Sequence, residues 1–170
     1  MKKLGFAALV LVLGLAGHAF SDDPKPEKKE TRSVPGWTTL TGLVGEWEGK
    51  MGDMKMTTTF ELTGGGTALL ETHDGCHGGK MSTVYHADKD HLVLTHYCAA
   101  GNQPRMKATK VSEGEVVFDF LDVTNLEKPT DPHMRAVTIH VKDAKHYTEE
   151  WTFRQDGKDE KKVLSFERTK

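Results

Sequence analysis

The chain has 170 residues, with 23 Lys+Arg against 25 Asp+Glu and a formal net charge of −2 at pH 7. That length bounds it to one domain with short appendages, and the charge balance lacks the basic excess of a nucleic-acid binder. A mean hydropathy of −0.53 excludes a multi-pass membrane protein, while 17 Gly and 6 Pro fit a folded chain rich in turns.

In chain order, Lys2 and Lys3 precede an almost wholly apolar run, Leu4 to Ala16, followed by small residues around Ala19 and Ser21. This is the three-part layout of a secretory signal peptide, and the run is short of the roughly 20 residues that a spanning helix needs. Residues 1–21 are read as that signal peptide, which makes the mature protein periplasmic or secreted, with no stable membrane span after cleavage. Losing Lys2 and Lys3 from the 23 basic residues leaves 21 against 25, a mildly acidic −4. Residues 22–35 mix Pro24, Pro26, Lys28, Lys29 and Glu30 with almost no apolar side chain, too little to offset the entropy of ordering. They read as a flexible linker ahead of a domain over 36–170.

Thr38 to Val44 carries one helical turn, with Leu40, Leu43 and Val44 at helical spacing. Beyond it, runs rich in Val, Thr, Phe, Tyr and Trp alternate with turn clusters. Ten strands are predicted near 46–50, 54–62, 67–72, 81–86, 91–98, 105–111, 115–121, 134–141, 146–155 and 162–168. Sequential hairpins make an antiparallel meander, and closing it removes its unpaired edges. The expected fold is all-β, an up-and-down barrel of about ten strands, with a two-sheet sandwich as the alternative. Barrels of this size hold a small ligand.

Gly45-Glu46-Trp47-Glu48-Gly49 sits where the helical turn enters the first strand. This G-x-W-x-G pattern resembles the opening strand of the calycin group: lipocalins, fatty-acid-binding proteins and haem-binding nitrobindins. The resemblance implies structural roles for Gly45, Trp47 and Gly49, with Trp47 plugging the closed end and Arg168 of the last strand packing across it. It carries over no haem ligand, because nitrobindins place a His near the C-terminus and this chain has none after His146. Leu94-Thr95-His96-Tyr97-Cys98-Ala99-Ala100-Gly101-Asn102-Gln103-Pro104-Arg105-Met106, together with Met81 to His86, is similar to a family of exported bacterial lipocalin-like barrels of unknown function. That similarity implies a fold over about 40–170 and supplies no activity.

The chemistry-bearing residues leave several readings open. Cys76 and Cys98 are the two cysteines, and an oxidising compartment favours a disulfide worth about 3 kcal/mol. A hairpin with His86 opposite His91 would bring Gly79 opposite Cys98 and Cys76 within reach. His73, Cys76, His77 and His96 offer an alternative set of metal ligands, though at no established zinc spacing. In the fifth strand, Leu92, Leu94, His96 and Cys98 share a face by alternation. His96, Asn102, Gln103 and Arg105, with His133 beside the long 122–132 connection, form a candidate polar mouth for a small ligand. The same residues also suit plain turn satisfaction. Asp119, His140 and Glu150 are strand residues that could point inward, but no nucleophile elbow, zincin or phosphate-loop motif is present.

The sequence therefore predicts an exported barrel that binds a small, partly apolar ligand, with no cofactor. Metal or haem handling, and then catalysis on a small ligand, are the alternatives.

Overall fold

The computed structural model of the protein describes residues 34–51, 53–74 and 79–169. A short helix α1 (Trp37–Thr41) leads into β1 (Gly45–Met51), β2 (Met54–Thr63), β3 (Ala68–Asp74), β4 (Met81–Asp88) and β5 (His91–Tyr97). There follow β6 (Gln103–Ser112), β7 (Glu115–Thr124), β8 (His133–Asp143), β9 (His146–Gln155) and β10 (Lys158–Arg168). All pair antiparallel with their neighbours, and β10 returns to β1, so the sheet is a closed barrel without an edge. The period-2 patterning is what permits this: one face of each strand supplies Trp47, Met56, Phe60, Leu69, Tyr85, Leu94, Met106, Phe118, Ile139, Tyr147 and Phe166 to a single core.

The two ends of the barrel differ. At one, α1 lies over the β4–β5 and β6–β7 turns, with Gly36 at φ 85° set against Leu92 and Val116. Leu40 and Leu43 are buried there, and Trp47 Nε1 donates to the Leu43 carbonyl at 2.7 Å. Arg168 spans the seam, its guanidinium 4.1 Å from the Trp47 ring centroid and donating to the carbonyls of Gly42, Val44 and Ala144. Gly49 is required by closure, since a Cβ there would stand 2.4 Å from the Phe166 ring and 2.8 Å from the Ser165 carbonyl. The opposite end carries the β3–β4, β5–β6 and β7–β8 connections.

Several expectations shift in detail. Val34 is buried with the core, so packing starts two residues before position 36. The β4–β5 hairpin pairs Asp88 with His91 and His86 with Val93, two residues away from the predicted register. The reason is the tight turn at Lys89, which takes φ 56°. β10 starts at Lys158, four residues early, because Asp156 and Gly157 both adopt positive φ and close a two-residue turn. β7 runs on to Thr124, which shortens the long connection to 125–132. The signal-peptide segment, and the linker up to residue 33, lie outside the described residues. Among those described, no helix is long and apolar enough to cross a membrane.

Candidate functional site

The half of the barrel away from α1 is polar inside. On β3, alternation turns Leu69, Glu71 and His73 inward; on β9 it does the same for Tyr147, Glu149 and Trp151. Glu71 and Glu149 are fully buried and His73 is 2% exposed. His73 Nε2 lies 2.7 Å from Glu71 Oε1 and 3.3 Å from Glu149 Oε2, so one imidazole nitrogen faces two carboxylates. Each of the three is oriented by a further group. Thr58 Oγ1 meets His73 Nδ1 at 2.8 Å, Tyr85 donates its hydroxyl to Glu71 at 2.6 Å, and Trp151 Nε1 donates to Glu149 at 2.8 Å.

The electrostatics follow from burial and charge. Desolvation alone would raise Glu71, yet the adjacent His73 charge and its hydrogen bonds bring it down to about 2. Desolvation would lower His73, but Glu71 and Glu149 hold it well above the ordinary imidazole value. Burial, then the Glu71 charge, raise Glu149 to about 7 despite the attraction of His73. Near neutral pH the cluster is therefore an ion pair, Glu71 with His73, beside a carboxyl that titrates. Burial first, and then the Glu71 charge, also push the Tyr85 phenol well up, keeping it a neutral donor.

His96 adjoins this cluster. Its Nδ1 meets Thr83 Oγ1 at 2.9 Å, its ring stacks obliquely on Trp151 at 4.7 Å, and burial lowers it to about 4, so it is neutral. Its Nε2 has no hydrogen-bond partner among the described residues, nor has Asn102 Oδ1. Half-buried Met81 and Met134 pack against the core at the same end of the barrel.

The sequence-predicted mouth residues divide. His96 is in the interior. Asn102 and His133 are buried at its rim: Asn102 Nδ2 donates to the Pro132 carbonyl at 2.8 Å, and His133 packs on Phe120 at 5.5 Å. Gln103 is bonded to Thr124 and the Gly101 carbonyl. Arg105 faces solvent in a bidentate pair with Asp122, a partner close enough to occupy its donors. Asp119, His140 and Glu150 all face outward, contrary to the inward reading; Glu150 pairs with Lys161 and Asp119 with Thr109.

Of the alternative metal set, His73 is a strand residue pointing into the barrel, while Cys76 and His77 lie outside the described residues. No disulfide is present among the described residues; Cys98 is a half-buried thiol whose burial raises its pKa. Glu71, Glu149, Tyr85 and Trp151 were missed by sequence reasoning. The available signal was Tyr147-x-Glu149-x-Trp151, where two aromatics at i ± 2 mark the carboxylate as inward, and Leu69-x-Glu71-x-His73 likewise.

The closed, ten-stranded antiparallel barrel is consistent with the lipocalin-like fold expected from the sequence. No protein-family model and no curated protein matches the chain. It is similar to a solved structure described as the crystal structure of Rv2717c from M. tuberculosis. The TM-score is 0.53 at 16% identity, covering 81% of this chain and 99% of the other. That likeness is one of fold.

Proposed function

We propose that the protein is an exported barrel that binds a small, partly apolar molecule end-on through the end opposite α1. The ligand's polar end would meet His96, with Asn102 and His133 at the rim. The observation that carries this reading is the unpartnered His96 Nε2, buried beside the Glu71–His73–Glu149 cluster. An unsatisfied buried polar atom costs on the order of 1–3 kcal/mol, and fold stability alone gives no reason to retain one. Met81 and Met134 support the apolar half of the reading, since flexible thioethers adapt to ligand shape. Export rests on the composition of residues 1–21.

The test is titration with a fluorescent amphiphile, dansylundecanoic acid, followed by displacement with small amphiphiles of varied headgroup. Saturable one-to-one binding with transfer from Trp151, weakened at least tenfold in His96→Gln, is the expected result. Binding that is absent, or unchanged in His96→Gln and in Asn102→Ala, would contradict it.

A further inference from the structure

We infer that Glu71, His73 and Glu149 form a binding site for a divalent transition-metal cation. The site is built from nitrogen and oxygen donors inside the barrel and not from the cysteines. The inference rests on the same reading of the interior as a site, and concerns what its floor holds.

Glu71 Oε, His73 Nε2 and Glu149 Oε all lie within 4.8 Å of one another. Metal–ligand bonds of about 2.0–2.1 Å in a tetrahedral site place donor atoms roughly 3.3 Å apart. The His73–Glu149 separation is already 3.3 Å, and the His73–Glu71 separation of 2.7 Å would open by about half an ångström.

Ligands of a metal site are typically fixed by partners on their non-ligating atoms. Here two of the three have one: the Thr58 hydroxyl on His73 Nδ1 and the Tyr85 hydroxyl on Glu71 Oε2. The Trp151 indole N–H holds Glu149 through Oε2, the oxygen that faces His73. Thr58 leaves His73 Nε2 as the nitrogen aimed at both carboxylates. A simple ion pair needs one carboxylate; here two fully buried ones converge on one imidazole nitrogen.

His96 Nε2 is buried with no hydrogen-bond partner among the described residues, and His96 is near enough to feel the charges of Glu71 and His73. Three protein ligands leave a fourth position open. Two carboxylates and one neutral imidazole also match the charge of a divalent ion, whose entry would displace the His73 proton. Imidazole with carboxylates suits zinc, manganese, iron(II) or cobalt, whereas thiolates would select softer ions.

The experiment uses the purified protein stripped with a chelator and titrated with Zn²⁺ alone, then with Co²⁺ as a spectroscopic stand-in. One equivalent is expected to bind at micromolar affinity or tighter, with proton release that shows in buffers of different ionisation enthalpy. Glu149→Gln keeps the shape and an acceptor for Trp151, and should weaken zinc at least tenfold; His73→Gln should abolish binding. His146→Ala, at an exposed histidine paired with Asp143, should change nothing.

Co²⁺ bound to the unmodified protein should show visible bands without the near-ultraviolet thiolate charge transfer that Cys76 or Cys98 would produce. This readout stands even where a variant fails to fold. No binding at 100 µM zinc, thiolate bands, or loss of binding in His146→Ala would each overturn the assignment. Because metal is the sole probe, a failure here is separable from a failure of amphiphile binding.

Discussion

His96 is an imidazole kept neutral by burial, with Thr83 on one nitrogen and, among the described residues, no hydrogen-bond partner on the other. Its folded value is near 4 against an ordinary 6.5. As pH falls below 6.5 the unfolded chain takes up a proton that the folded site refuses. The residue's contribution to stability is thus complete above pH 6.5 and is lost as pH drops toward 4, by about 3 kcal/mol. Urea unfolding of the wild type and His96→Gln at pH 7.5 and 4.5 checks this, because the difference between the two proteins isolates His96 from the carboxylates. The gap should shift by about 2.5 kcal/mol in the variant's favour between those two pH values; a constant gap would contradict a buried neutral imidazole. His73 obeys the opposite logic, since its charge offsets those of the two buried carboxylates it faces. His73→Ala in chelator-treated protein should cost about 3–5 kcal/mol. Adding Glu149→Gln should restore part of that loss, as a denaturation cycle would show. The histidines of this site were legible in the sequence. Their carboxylate partners showed only in the alternation of their flanks, Leu69-x-Glu71-x-His73 and Tyr147-x-Glu149-x-Trp151, which turns Glu149 and not Glu150 inward.

At the scale of elements, ten strands could be read from the chain because Val, Thr and aromatic residues alternate between glycine- and aspartate-rich turns. Register was less accessible. It depends on single residues such as Lys89 and Asp156 accepting a left-handed backbone, which composition does not announce. β1 shows how far one position can constrain a strand pair. Gly49 faces Phe166 across the β1–β10 pairing, and the aromatic ring lies where a side chain would be. Gly49→Ala should destabilise by roughly 1–3 kcal/mol through overpacking. Gly79→Ala, where nothing lies within 4 Å of the added carbon, should be close to neutral. Thermal denaturation of the two variants side by side decides the point.

For the whole molecule, closure concentrates at one residue from the far end of the chain. Arg168 joins the start of β1, the β8–β9 turn and the Trp47 ring, using three backbone carbonyls and an indole face. A lysine can reproduce the charge but not the planar fork, so Arg168→Lys should lose nearly as much stability as Arg168→Ala, about 1–2 kcal/mol; equal stability of Lys and Arg in a urea melt would argue against the fork. The motif at Trp47 and the basic residue at 168 made this seam visible in the sequence. The polar floor was hidden because it is assembled from β3 and β9, 78 positions apart between Glu71 and Glu149, and becomes one site only when the barrel closes.

That asymmetry, an apolar end sealed by α1 and a polar end with buried unpartnered atoms, is the basis for reading the barrel as a container. Native mass spectrometry of gently purified protein, compared with His96→Gln, tests it most directly. The account predicts a one-to-one complex with a small organic molecule that is released on activation and depleted in the variant. The bare polypeptide mass in both proteins, with no small molecule retained, would contradict it.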